Sequence, residues 1–209
     1  MKKLFALFLF LVVTNLTFIT NSNAETHDNP SKTILVLGDS LSAGYNMDES
    51  EGWVNLLQQR LIADGYSYKV INGSVSGDTT NQGIQRLKPL LAEHTPDLVI
   101  IELGGNDGLR GFPPQVIKNN LGKLIDMSKS AQAEVLLLGM RILPNYGQRY
   151  ADAFFNNYAK LAEEKDVELV PFFLDGVGGK PELMQDDGIH PNQKAQPILM
   201  ENILPFIIN

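Results

Sequence analysis

Five short apolar runs punctuate this chain, and between them apolar residues return every three or four positions. The first run, 33–37 (TILVL), is led by β-branched residues and stops at Gly38-Asp39-Ser40, the pattern of a buried strand ending in a tight turn. Residues 52–63 place Trp53, Leu56, Leu57, Leu61 and Ile62 at helical spacing, with Gly65 as the stop, which assigns Trp53 to the core. A second short strand is predicted over 68–71. Next, the loop Ser76-Gly77-Asp78-Thr79-Thr80 leads into an amphipathic helix ending near His94, before Pro96. The run 97–103 (DLVIIEL) predicts a third strand, which meets Gly104-Gly105-Asn106-Asp107, and Pro113-Pro114 opens a helix over 115–130. A fourth strand is predicted over 134–140, a helix over 150–165 with Phe154, Tyr158 and Leu161 inward, and a fifth strand over 168–172. Residues 175–190 read as a loop, and Pro191 fits the first turn of a final helix. Strands alternating with helices predict an α/β fold, a parallel sheet covered on both faces, with no internal repeat.

The amino-terminal segment breaks this pattern. Met1-Lys2-Lys3, an apolar stretch from Leu4 to Val13 and the small residues before Ala24 read as a signal peptide over 1–24, leaving one domain over 25–209. Thr14, Asn15 and Thr17 interrupt the apolar stretch, which leaves it short for a retained membrane anchor. Without cysteine there is no lipidation site at the cut and no disulfide framework. The expectation is an exported, soluble monomer with no stable membrane anchor after cleavage.

Charge narrows the partners. The whole chain carries a formal −7, and cleavage removes two of its 17 basic residues and none of its 24 acidic ones. Such a surface argues against nucleic acid and against anionic lipid surfaces held by charge. A small lipid-like substrate gripped by its acyl chain is not excluded.

Polar, Gly-rich signatures follow three of the strands, at Gly38-Asp39-Ser40, Ser76-Gly77-Asp78 and Gly104-Gly105-Asn106-Asp107. In a parallel sheet all three converge at one edge. Ser40 is then the candidate nucleophile, with a plain turn or helix cap as the competing reading. A serine hydroxyl needs a base. Of the three histidines, His27 lies in the polar leader, His94 ends a helix, and His190 remains, three residues after Asp187. Asp187 would fix the tautomer and stabilise the imidazolium, with Asp186 as the alternative carboxylate. The N–H groups of Ser40 and Gly77 and the amide of Asn106 are candidate oxyanion donors. Read singly, Gly77 also fits an ordinary turn and Asn106 an ordinary cap, while Asp39 and Asp78 read as loop-bracing carboxylates. An isolated Asp-x-x-His is a poor zinc pattern, so neither a metal nor a cofactor is expected.

These residues, in order and spacing, resemble the four blocks of the GDSL esterases, or SGNH hydrolases. The serine lies outside a Gly-x-Ser-x-Gly elbow. The longer stretches GDSLSAGY, SGDTT, ELGGNDGLRGF, NYG and MQDDGIHPN are similar to the exported thioesterase branch of that family. The resemblance implies a three-layer α/β/α, flavodoxin-like fold with a five-stranded parallel sheet. It assigns Ser40, Asp187 and His190 as catalytic and Ser40, Gly77 and Asn106 as the oxyanion hole. It implies metal-free hydrolysis of acyl esters, acyl-CoA thioesters, lysophospholipids and aryl esters, and favours the periplasm over secretion to the medium. In the relatives the loop matching 75–81 moves on substrate binding and a residue matching Leu109 lines the acyl groove. Phe112, Ile142 and Tyr146, on the loops after the third and fourth strands, would extend that groove. The alternative within the family is a carbohydrate O-deacetylase; outside it, a binding module, which would lack the P-loop lysine usual in a phosphate cradle.

Overall fold

The computed structural model describes residues 32–208, so the expected signal peptide over 1–24 lies outside the described residues. Its strands are β1 (Lys32–Gly38), β2 (Tyr68–Asn72), β3 (Leu98–Glu102), β4 (Glu134–Leu138) and β5 (Glu168–Val170). The helices are α1 (Ser40–Ala43), α2 (Trp53–Ala63), α3 (Thr80–His94), α4 (Gly105–Leu109), α5 (Pro114–Ser130), α6 (Gln148–Lys165) and α7 (Gln196–Ile203). All strand pairs are parallel in the order β2-β1-β3-β4-β5, with Ile34 opposite Leu98 and Val70. The residues from Ile34 to Leu37 and from Val99 to Ile101 are buried, as they must be where helices cover both faces. On one face α2 packs with α7; on the other, α3, α5 and α6 pack in sequence. The three-layer α/β/α architecture is therefore the one expected.

The order reverses between β1 and β3, so the loops leaving these two central strands diverge and open a crevice at their carboxyl ends. Local chemistry sets the elements that border it. Thr79 caps α3 in a reciprocal box with Gln82, and Pro114 opens α5. Trp53 is fully buried edge-on to Phe173, with ring centroids 5.5 Å apart, and its backbone N–H donates to Gln196 Oε1 at 3.1 Å, tying α2 to α7.

One element departs from expectation. Pro191 is not in a helix; it pairs with Met184 in an antiparallel bridge, and Gln185 N donates to His190 O at 2.7 Å. The segment around His190 thus closes on itself, and the last helix starts only at Gln196, with Pro197 in its first turn.

Candidate active site

Ser40 is the first residue of α1, one residue beyond the end of β1. Asp39 Oδ1 accepts the Leu41 N–H at 3.1 Å and so caps this single turn, which Gly44 ends in the left-handed conformation. His190 Nε2 lies 2.9 Å from Ser40 Oγ, and Nδ1 lies 2.6 Å from Asp187 Oδ2. With Gly188 at φ +67°, the chain turns back so that Asp187 Oδ1 also accepts the N–H groups of Ile189 (2.9 Å) and His190 (3.0 Å). Those bonds to His190, first its N–H and then its ring, hold the Asp187 carboxyl down to about 2. Asp186 is exposed and makes no such contact with His190 among the described residues. Gln185 ties this segment to the nucleophile side, its Nε2 donating to Tyr45 O (2.9 Å) and Pro191 O (3.1 Å). The Tyr45 ring lies over the imidazole at 4.4 Å between centroids.

The three expected oxyanion donors border this serine in different states. As the first helical residue, Ser40 has an N–H without an intrahelical acceptor. Gly77 sits at φ +86°, and Arg110 Nη2 donates to its carbonyl at 3.1 Å, fixing that peptide from outside. Asn106 Nδ2 donates to Asp39 Oδ2 and to Asp78 O, both at 3.0 Å, so both amide hydrogens are engaged. Asn106 therefore gives up or shares one of these bonds to reach a third acceptor. Asp78 is held in turn by Arg86 Nε at 2.6 Å, as a loop-bracing carboxylate should be.

The expected acyl-binding residues form a wall stitched by hydroxyls. Tyr146 Oη donates to Leu109 O at 3.0 Å and Tyr150 Oη to Phe112 O at 2.6 Å, joining the loops after β3 and β4. Phe112 and Tyr146 are exposed and Leu109 is half-buried, whereas Ile142 leans on the core beside Gly108. This wall is an open surface. A concavity of about 880 Å³ lies instead at the amino edge of the sheet, between Lys32, Tyr68, Asp97 and Glu168, far from the nucleophile. Another of about 630 Å³ adjoins Asp187, lined by Tyr45, Glu51, Gln185 and Gln193. The chemistry favours the edge holding Ser40, whatever the size of the other cavity.

Two buried acids escaped the sequence reading. Asp107 accepts both the N–H (2.8 Å) and the hydroxyl (2.6 Å) of Thr80, bracing α4 against α3. Glu102 lies under the nucleophile turn, where its Oε2 accepts from Ser42 Oγ at 2.8 Å and from Asp39 N at 3.2 Å. As the one acid within the apolar residues 98–103 it is visible in the sequence, but its partners are not. Burial pushes Asp39, 2% exposed, up to about 6. Among the described residues no group of three or more His, Asp or Glu side chains is arranged to hold a metal ion.

Residues 36–197 match the family model described as GDSL-like lipase/acylhydrolase. An arylesterase of Vibrio mimicus is 56% identical over 178 residues, 85% of this chain and 89% of the relative. The thioesterase 1/protease 1/lysophospholipase L1 of Escherichia coli (strain K12) is 50% identical over 194 residues, 93% of this chain and 87% of the relative. Among solved structures, the crystal structure of TesA superposes with a TM-score of 0.83 at 52% identity, covering 85% of this chain and 98% of that one.

Proposed function

The chain belongs to the GDSL-like lipase/acylhydrolase family, and from that premise we propose that it is a serine carboxylic ester hydrolase that cleaves acyl esters and thioesters through an acyl-enzyme. The observation that carries this reading is the continuous chain from Asp187 through His190 to Ser40, with links of 2.6 and 2.9 Å. His190 Nε2 takes the Ser40 proton as Oγ attacks the acyl carbonyl, and Asp187 holds the Nδ1 proton and steadies the imidazolium. The oxyanion accepts from the N–H groups of Ser40 and Gly77, with Asn106 as the third donor as its amide turns from Asp78 O. His190 then protonates the departing alkoxide or thiolate, and water, activated by the same imidazole, releases the acid and restores Ser40.

The wall of Leu109, Phe112, Ile142 and Tyr146 supports an acyl chain as the bound part of the substrate. Tyr45, Val75, Leu143 and Ile189 add exposed apolar surface along the same edge. The names of the relatives extend the proposal to aryl esters, thioesters and lysophospholipids as small-molecule substrates, and acyl-CoA is the thioester we propose. Export follows from the residue pattern of 1–24, with the domain over 25–209 working as a monomer in the periplasm; no described helix is long and apolar enough to cross a membrane.

A series of p-nitrophenyl esters and acyl-CoA thioesters from acetyl to palmitoyl tests the substrate class. Activity is expected to rise beyond acetyl, changing by about 10-fold or somewhat more per methylene at most, because an open apolar wall discriminates weakly. Cleavage of acetyl esters alone would replace this reading with the O-deacetylase.

A further inference from the structure

Beneath the nucleophile turn lies a carboxyl to which the reaction assigns no task. Glu102 ends β3 with 0% exposure, and its Oε1 has no hydrogen-bond partner among the described residues. The space it occupies exists because residue 38 is glycine: a Cβ there would come within 2.8 Å of Glu102 Oε2 and 2.7 Å of the Ser42 side chain. A fully buried acid that ends a central strand with no cationic partner among the described residues opposes folding unless it is neutral or has another use.

The contacts of Glu102 run toward the reacting atoms. Oε2 accepts from the Asp39 N–H and the Ser42 hydroxyl, so it grips the turn on both sides of Ser40. Asp39, equally buried, caps that turn at Leu41 N and accepts from Asn106 Nδ2. Glu102, Asp39 and Asn106 therefore form one path from the sheet to an oxyanion donor. We propose that Glu102 is a positioning residue for ester hydrolysis: its carboxyl fixes the Asp39 backbone and the Ser42 hydroxyl, and Asp39 in turn holds Ser40 and aims the Asn106 amide. This rests on the ester-hydrolase reading above.

The charges around the pair suit that task. Asp39 faces Glu102 directly, Asp78 approaches from the loop after β2, Asp107 and Asn106 from α4, His190 from the last loop, and Tyr158 from α6. Burial and the Asp39 charge push Glu102 well above the ordinary carboxyl range. Asp39 Oδ2 accepts from Asn106.

Glu102→Gln and Glu102→Leu test this with a p-nitrophenyl ester that the wild type cleaves. The glutamine oxygen can accept from Ser42 and Asp39 N as the carboxyl does. Glu102→Gln is therefore expected to keep kcat within about threefold, since it preserves both acceptor contacts. Glu102→Leu should lower kcat by about 10- to 100-fold at unchanged KM, less than the roughly 100- to 1000-fold of deleting an oxyanion donor. Wild-type kcat in folded Glu102→Leu overturns the proposal, as does a loss in folded Glu102→Gln equal to that in Glu102→Leu. Should Glu102→Leu not fold, Asp39→Asn decides: it sets one amide against another at Asn106 and is expected to lower kcat at unchanged KM, whereas wild-type kcat overturns the proposal. A wild type inactive on every ester defeats the functional reading instead.

Discussion

Asp187→Asn is expected to lower kcat by about 1,000- to 10,000-fold while leaving KM nearly unchanged, because an asparagine facing Nδ1 no longer enforces the tautomer that leaves Nε2 free to accept the Ser40 proton. The proposed acyl-chain contacts of Leu109, Phe112, Ile142 and Tyr146 are on other segments and are untouched. The same substitution changes the acid limb of stability. In the native protein the carboxyl is held to about 2, below the value of about 3.9 in the unfolded chain, so the unfolded state binds the proton first as pH falls. Its contribution is present above about pH 4 and disappears as pH falls through about 2. Thermal unfolding of the two proteins as a function of pH should converge over that window. Equal kcat in the two proteins would remove Asp187 from the reaction and return Asp186 to consideration.

The second large effect concerns the fold beside the site. Gly139 follows β4 at a crossing so close that a Cβ would stand 2.2 Å from Pro171 O and 2.9 Å from Pro171 C, both backbone atoms. The Gly139 N–H donates to Val170 O and its carbonyl accepts from Phe173 N, each at 2.8 Å, so neither segment can step aside without losing these bonds. Phe173 in turn packs against Trp53. Gly139→Ala is therefore expected to destabilise by about 3 kcal/mol or more, at the upper end of overpacking costs. For a domain of this size that lowers Tm by roughly 6–12 °C. An unchanged Tm would show that the two segments do not approach as described.

Much of this architecture is legible along the chain, for identifiable reasons. The five strands announce themselves because central parallel strands are buried on both faces and read as unbroken apolar runs. Their carboxyl ends are less legible: Leu103 and Met140 continue the runs, yet both are buried loop residues just past β3 and β4. Apolar character marks burial there, not strand geometry. The single turns α1 and α4 are too short and too rich in glycine and small polar residues to show a period. Pro191 has the local chemistry of a helix start, but its pairing with Met184 outweighs that preference.

The site divides in the same way. Ser40, Asp187 and His190 emerge as candidates by chemistry and elimination, since a serine after a strand needs a base, His27 lies in the leader and His94 ends a helix, which leaves His190 three residues after Asp187. Glu102 is silent because its partners, Ser42 and Asp39, lie some sixty residues earlier and come near only through the pairing of β1 with β3. Nor does the sequence disclose that Asn106 has both amide hydrogens engaged, a fact set by how the loops after β1, β2 and β3 meet.

Ser40 as the acyl acceptor is tested most directly by mass analysis of protein quenched in acid during turnover of a p-nitrophenyl acyl ester. The wild type should gain the mass of one acyl group, located on the peptide containing Ser40, with Ser40→Ala unmodified and without measurable turnover. An adduct on another residue, or full turnover by folded Ser40→Ala, would contradict the assignment of the nucleophile.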